Sequence, residues 1–238
     1  MQHTRSRQLG ASMLEVALAV VLISVIFMGM TPLILKNQDV TVAKSLSQSY
    51  TQFWTAASAH FEANRSAYIS AMTDGTGADQ LCKVNVDSMT GAGGEETYSA
   101  DVHRCALDTS MLKFVSALPA SVSDTNAYGE RWVAIYKLVY DQQSPPQPTG
   151  GVEQLVVSAA VHGQELTFVP STSTYDRALT AAGFTSGSAG VVPDADRSTC
   201  VASRSSGVFE ACGSGWRINL GDYLSAAELQ AFANRLIN

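Results

Sequence analysis

Four cysteines carry the most readable chemistry in the sequence. They are Cys82, Cys105, Cys200 and Cys212, and an even number of cysteines permits disulfides. Pairing of neighbours along the chain predicts a Cys82–Cys105 disulfide and a Cys200–Cys212 disulfide, and the other two connectivities stay open. Zinc binding is disfavoured because no C-x-x-C spacing occurs and the four histidines do not cluster.

No other group of side chains has the spacing of a reactive or ligand-binding site. The glycines at 75–77 and 91–94 are followed by no Lys-Ser or Lys-Thr pair, so neither segment is a phosphate-binding loop. The sequence has no G-x-S-x-G nucleophile motif. Asp194 and Asp196 form a carboxylate pair that is too small to predict a calcium site. We therefore expect no enzyme, no cofactor and no metal.

Composition narrows the class of protein further. The chain has 238 residues, of which 46% are hydrophobic and 15% charged, and a net charge of -6. This balance excludes an intrinsically disordered chain. The acidic charge disfavours a nucleic-acid partner, which requires clustered Lys and Arg.

The longest apolar run covers residues 16–35 and contains no charged side chain. A helix of that length is about 30 Å long, the thickness of one bilayer core. Arg5 and Arg7 precede the run, so the positive-inside rule predicts a cytoplasmic N-terminus and a periplasmic head. Three interpretations compete: a cleaved signal peptide, an uncleaved anchor, and a chain cut before the run. The run ends in TPLILKNQ, which is a poor signal-peptidase site.

Glu15 lies immediately before the apolar run, where a simple anchor needs no carboxylate. The segment Gly10-Ala11-Ser12-Met13-Leu14-Glu15, followed by the apolar run, resembles the class III leader of type IV prepilins. The resemblance implies that residues 1–10 are a leader, cut between Gly10 and Ala11 by a prepilin peptidase. Pro32 then falls where the family often has proline. Ala11 stands where the family commonly has an N-methylated phenylalanine or methionine.

The same resemblance implies that Ala11, Glu15 and Pro32 act in filament assembly. The new amino group of Ala11 in one subunit would pair with the Glu15 carboxylate of a neighbour, which the helix dipole also favours. Pro32 would loosen the helix because it lacks an amide proton. The implied partners are other pilin subunits, the prepilin peptidase and an inner-membrane assembly platform. The protein is expected in the inner membrane before assembly and in an extracellular pilus afterwards.

Residues 36–72 change from uniformly apolar to amphipathic. No Gly or Pro occurs from Leu33 to Thr73, so residues 11–35 and 36–72 are predicted to be two halves of one helix that stops at Asp74-Gly75. The residues of one stripe step by three or four positions, the spacing of one helix face. We interpret this stripe as core packing; its members are Ala43, Leu46, Tyr50, Phe53, Ala57, Phe61, Asn64, Tyr68 and Met72.

Residues 73–238 are predicted to form one α+β head. A Gly-, Asp- and Ser-rich loop is expected over 73–105, and β-rich segments with a short Pro-rich connection predict an antiparallel hairpin. The predicted elements are a helix from Thr109 to about Leu118, strands at 131–140, 154–161, 163–169 and 216–220, and helices at 175–182 and 225–238. A long helix packed on a small antiparallel sheet is an α+β fold, here the type IV pilin roll.

Four segments are similar to the constant region of the shufflon-type minor pilin of conjugative type IVb pili. They are Trp54–Ala59, Thr109–Lys113, Leu118-Pro119 and Asn126–Arg131. That family continues into a swapped C-terminal adhesin, and this sequence stops at Asn238, so we do not carry over recipient recognition by that region.

The resemblances imply a structural subunit, a minor pilin, serving attachment to a recipient-cell or host surface or conjugative mating. Two alternatives are a pseudopilin of a type II secretion system and an uncleaved, membrane-anchored periplasmic binding domain. A pseudopilin shares the leader, whereas the anchored domain would need neither Gly10 nor Glu15.

Overall fold

The computed structural model describes residues 37–162, 165–170, 175–193, 200–203 and 206–235. The predicted leader, the apolar run 16–35 and the predicted assembly residues Ala11, Glu15 and Pro32 lie outside these ranges. Within them, no helix is both long and apolar enough to cross a membrane. Ala43–Asn238 is one compact unit; Met1–Val42 is a second unit, of which residues 37–42 are described and helical.

The described chain contains helices and antiparallel strands in separate runs, which gives an α+β architecture. The helices are α1 (37–63), α2 (Arg65–Asp74), α3 (Ala78–Leu81), α4 (Thr109–Phe114), α5 (Tyr175–Gly183) and α6 (Ala226–Arg235), with a 3₁₀ turn at Leu220–Asp222. The strands are β1 (Lys83–Val86), β2 (Gly93–Glu96), β3 (Arg104–Asp108), β4 (Glu130–Tyr140), β5 (Pro148–His162), β6 (Glu165–Pro170), β7 (Gly190–Val191), β8 (Ala202–Ser203), β9 (Val208–Gly213) and β10 (Trp216–Asn219).

The central sheet has the strand order β3-β4-β5-β6, and every neighbouring pair is antiparallel. β1 and β2 form a separate antiparallel hairpin. A second sheet, built from the C-terminal part of the chain, has the order β10-β9-β7, and β8 also pairs with β9. β4 and β5 are joined by the short connection 141–147, as expected for antiparallel pairing, whereas α4 lies in the longer connection between β3 and β4.

The apolar stripe predicted for α1 and α2 faces the central sheet. Seven of its nine members are buried, whereas Tyr50 and Asn64 are only partly covered. The stripe packs against alternate residues of β4, namely Ala134, Tyr136 and Leu138. Tyr136 stacks on Phe61 with ring centroids 4.7 Å apart, and its hydroxyl donates to the Ala57 carbonyl at 2.8 Å. Five of the buried members join this main core, whereas Ala43 and Leu46 pack in a small separate cluster with Ala181 of α5.

The helix is interrupted once, at Asn64, where the sequence predicted a continuous helix to Met72. The Asn64 side-chain amide donates to the His60 carbonyl at 2.9 Å, which competes with the regular backbone bond. The helix resumes at Arg65 and ends at Asp74. Gly75 caps it with φ 80°, a left-handed conformation that glycine adopts without strain, and its N–H bonds to the Ala71 carbonyl.

A second core lies on the opposite face of the central sheet. Val133 and Ile135 alternate with the residues that face α1, so they point the other way. They pack against Phe209 of β9 and Phe232 of α6, whose rings meet edge-on at 5.2 Å. Because both faces of β4 are covered, its central residues from Trp132 to Tyr136 are continuously apolar rather than alternating.

The segment 73–105 is more ordered than the predicted loop, because it contains α3 and the β1–β2 hairpin. Val84 and Val86 alternate toward the interior, but β2 is Gly-Gly-Glu-Glu and all four residues are exposed. A strand whose side chains are all exposed leaves no hydrophobic pattern in the sequence.

Other boundaries also differ from the prediction. α4 ends at Phe114, because the Ala117 and Leu118 N–H groups both turn back to the Leu112 carbonyl. β5 begins at Pro148, inside the predicted loop; proline is tolerated as the first residue of a strand. β3, β7, β8 and β9 were not predicted.

Candidate functional site

The predicted leader-cleavage residues Gly10 and Ala11 and the predicted assembly residues Glu15 and Pro32 lie outside the described residues. The predicted cysteine pairs are both described, and the structure contains both disulfides. The Cα atoms are 4.9 Å apart in Cys82–Cys105 and 5.9 Å apart in Cys200–Cys212.

Cys82–Cys105 joins the start of the β1–β2 hairpin to β3 inside the main core. Both cysteines are fully buried and contact the cluster formed by α2 and the central sheet. The disulfide therefore anchors residues 83–104, which include the β1–β2 hairpin, to the central sheet.

Cys200–Cys212 joins the segment before β8 to β9. The Glu210 carboxylate lies within 4.8 Å of both sulfurs, which would be a metal-ligating spacing if the thiols were free. Both sulfurs are instead bonded to each other, and the carboxylate accepts a hydrogen bond from the Val201 N–H at 2.9 Å. Asp194 and Asp196 lie outside the described residues.

A cavity of about 380 Å³ lies between α1, the β4–β5 strands and the segment from α5 to β7. All three tryptophans of the chain line it, one from each of three elements: Trp54 on α1, Trp132 on β4 and Trp216 on β10. Tyr50, one turn before Trp54, completes the aromatic lining. We call this space the aromatic cavity.

Hydrogen bonds fix two of the three indole rings in place. Trp132 Nε1 donates to Ser49 Oγ at 3.1 Å, and Trp216 Nε1 donates to the Gly187 carbonyl at 2.8 Å. Tyr50 meets Trp132 edge-on at a centroid distance of 5.5 Å. Because the polar edges of these two rings are bound by protein, the carbon surfaces are the part left to face the cavity.

Trp54 differs from the other two tryptophans because it is 46% exposed. It lines the cavity and is also accessible to solvent, a position that suits contact with a ligand.

Glu130 provides the charged group of the aromatic cavity. It is 7% exposed, and its Oε2 accepts hydrogen bonds from Asn126 Nδ2, at 3.2 Å, and from the Ser158 hydroxyl. The Asn126 amide also donates to Ser158 Oγ at 2.9 Å. Asn126 Oδ1 in turn accepts from the backbone N–H groups of Tyr128 and Glu130, which fixes the amide's orientation.

Two further polar groups border the aromatic cavity. Burial raises the pKa of Tyr50 above its ordinary value, and a hydrogen bond with Ser188 opposes that shift. The phenol is therefore neutral at physiological pH. Gln154 Oε1 accepts from the Ser58 hydroxyl at 2.9 Å, while its Nε2 is buried and has no partner among the described residues.

Sequence reasoning did not predict the aromatic cavity. Its tryptophans lie about eighty residues apart along the chain, and no periodicity links residues on three separate elements. Only the family resemblance distinguishes the segments Asn126–Arg131 and Trp54–Ala59 in the sequence. The one available signal was the scarcity of tryptophan, with three in the whole chain, together with a Glu at the start of an apolar strand.

Comparison of the chain with protein-family models, with curated proteins and with solved structures finds no match in any of the three.

Proposed function

We propose that the protein is a structural subunit of a type IVb pilus, a minor pilin, processed after Gly10 and assembled through its N-terminal helix. The observation that carries the proposal is the leader pattern: a basic segment, Gly10, Glu15 five residues later, and twenty uncharged residues with Pro32. This combination suits a chain that is stored in the inner membrane and then extracted into a filament. Attachment or conjugative mating would be the role of the assembled pilus.

The described fold is compatible with that proposal. The type IV pilin roll is expected to pack the apolar stripe of a helix on an antiparallel sheet, and the packing of α1 and α2 on β4 supports this expectation. The two disulfides suit a head exported to an oxidising compartment. The fold and the disulfides are compatible with the proposal but also occur in other proteins, whereas the leader pattern is specific to it.

The test is the N-terminus of the protein isolated from inner membranes, determined by intact mass and N-terminal sequencing. We expect a chain that starts at Ala11 only when the host's prepilin peptidase is present. A chain that starts at Met1 in both strains, or one that starts beyond Leu35, would overturn the proposal. A Gly10→Ala variant is the matched control, because it alters the cleavage site and leaves the apolar run intact.

A further inference from the structure

The aromatic cavity has the composition of a site for an organic cation. We propose that it binds a small methylated ammonium compound, whose trimethylammonium group lies against the tryptophan rings and near the Glu130 carboxylate. This ligand site goes beyond pilus assembly and does not depend on it. Three properties of the cavity carry the proposal: its charge, its aromatic surface and its size.

The charge of the cavity favours a cation. Glu130 is the only charged side chain among the described residues that line it. None of the ion pairs in the described part of the chain includes Glu130, and its recorded partners, Asn126 and Ser158, are neutral. A buried carboxylate without an ion-pair partner is unfavourable, so a cationic ligand would be stabilised by electrostatic attraction to Glu130.

The aromatic surface favours a methylated ammonium over one that carries N–H groups. Cations are attracted to the faces of aromatic rings, most strongly to tryptophan, and three tryptophans and Tyr50 line this cavity. Ring faces accept hydrogen bonds poorly, so an ammonium with three N–H groups would lose water without replacement. A trimethylammonium group has no such requirement and also buries its methyl groups.

The size and the remaining polar group fit a ligand about as large as choline or somewhat larger. A cavity of about 380 Å³ lies within the range of small-molecule sites. Gln154 Nε2, which is buried and without a partner among the described residues, can donate to a ligand oxygen. The same chemistry occurs in free choline and in a phosphocholine headgroup, so both are used as probes.

The experiment is a titration of the full chain, purified in a maltoside detergent, with choline, followed by tryptophan fluorescence and by calorimetry. Because all three tryptophans line the cavity, fluorescence reports its occupancy directly. The neutral control is dimethylbutanol, which has the shape of choline without the charge. We expect saturable binding of choline and at least about tenfold weaker binding of dimethylbutanol. Equal affinity for the two, or no saturable choline binding up to about 10 mM by folded protein, overturns the proposal.

Two variants test the named residues. Trp54→Ala and Glu130→Gln are each expected to weaken choline binding by about tenfold or more. The matched controls, Phe114→Ala and Glu96→Gln, remove an exposed aromatic ring and an exposed carboxylate elsewhere and should bind normally. Trp54 is half-exposed, so its variant decides the question even if the Glu130 variant does not fold. Unchanged binding by folded Trp54→Ala overturns the site.

Glycerophosphocholine, a soluble form of a lipid headgroup, distinguishes the two sources of the ligand. Tighter binding of glycerophosphocholine than of choline supports the site as one for a headgroup, and tighter binding of choline supports it as one for the free compound. A response to a neutral methyl glycoside that exceeds both would overturn the cation assignment.

Discussion

Arg104 on β3 and Glu228 in the first turn of α6 form an ion pair, with Nη2 2.5 Å from Oε1, that joins the C-terminal helix to the central sheet. Arg104 is buried, and its Nη1 also donates to the Tyr223 carbonyl at 2.7 Å. The second oxygen of Glu228 accepts from the N–H and the hydroxyl of Ser225, each at 2.8 Å. One carboxylate therefore both caps α6 and neutralises a buried guanidinium.

Replacing Glu228 should destabilise the head strongly. Glu228→Ala is expected to lower the free energy of unfolding by about 3 kcal/mol, because it removes both the carboxylate that pairs with the buried Arg104 and the cap of α6. Urea unfolding of the purified protein measures the change. Glu62→Ala is the control, because its ion pair with Arg65 is exposed and should contribute about 0.5 kcal/mol or less. Equal losses in the two variants would contradict the interpretation.

Asp108 is a second buried carboxylate, and it accepts hydrogen bonds from several donors. Oδ1 accepts from the Ser110 hydroxyl and the Met111 N–H, and Oδ2 accepts from the Asn85 N–H and from Arg131 Nη1 at 2.8 Å. Asp108→Asn places an amide N–H₂ against one of these sets and removes the charge that faces Arg131. We expect a loss of about 3 kcal/mol in the free energy of unfolding, measured by urea titration.

The control for Asp108 is Asp124→Asn. Asp124 pairs with Lys113 at 2.6 Å, but its side chain is 47% exposed, so solvent screens the interaction. The expected loss is about 0–1 kcal/mol. A loss for Asp124→Asn as large as that for Asp108→Asn would show that burial is not what makes the Asp108 contacts important.

The two disulfides should contribute unequally to stability. Closing a loop of either length is expected to contribute roughly 3 kcal/mol. Cys82–Cys105 spans more residues, 23 against 12, and lies fully inside the main core, so its removal also leaves a cavity there. The double variant Cys82→Ala/Cys105→Ala should therefore melt at a lower temperature than Cys200→Ala/Cys212→Ala. The opposite order would mean that core burial of the first pair contributes little.

The parts of the fold that were predictable are those with a side-chain period. The three- and four-residue steps from Ala43 to Met72 predicted the buried face of α1 and α2, and the β-branched and aromatic run 131–140 predicted β4 within one residue. These elements bury side chains on the central sheet, so hydrophobicity records their geometry directly.

The parts that were missed are fixed by backbone pairing or by tertiary contact. β2 is held through backbone bonds to β1, and its four exposed residues carry no period. The break at Asn64 coincides with a side-chain bond from Asn64 to the His60 carbonyl, which no side-chain period records. The aromatic cavity requires Trp54, Trp132 and Trp216 to converge, which only the packing of α1 and both sheets determines.

His60 should make the stability of the head depend on pH. Burial lowers the pKa of its imidazole in the folded protein. Asn64 Nδ2 lies 3.3 Å from Nδ1, and Nε2 has no partner among the described residues. The His60 imidazole therefore binds a proton more readily in the unfolded chain than in the folded protein. Above about pH 6.5, the ordinary pKa of histidine, His60 should not affect the free energy of unfolding. The free energy of unfolding should fall as pH decreases from about 6.5 to the lowered pKa.

The measurement is the free energy of unfolding of the wild type and of His60→Gln between about pH 4 and pH 8, a range that includes the ordinary histidine pKa of about 6.5. The variant keeps every other titratable group, so the difference between the two curves isolates His60. We expect the variant to lose less stability than the wild type on acidification below about pH 6.5. Parallel curves would mean that the imidazole is equally protonated in both states.

Glu15 provides the prediction that separates processing from assembly. If the proposed function holds, Glu15→Ala should still be cut after Gly10, because the cleavage site is intact, but should enter filaments several-fold less. The reason is that the carboxylate would no longer pair with the amino group of Ala11 on a neighbouring subunit, in a bilayer-like interior where an unpaired ammonium is costly. Mass spectrometry of membrane and sheared-pilus fractions measures both steps. The control is Glu62→Ala, which removes an exposed carboxylate farther along the helix and should assemble normally. If Glu15→Ala also assembles normally, the proposed pairing with the Ala11 amino group is wrong, even when cleavage after Gly10 is observed.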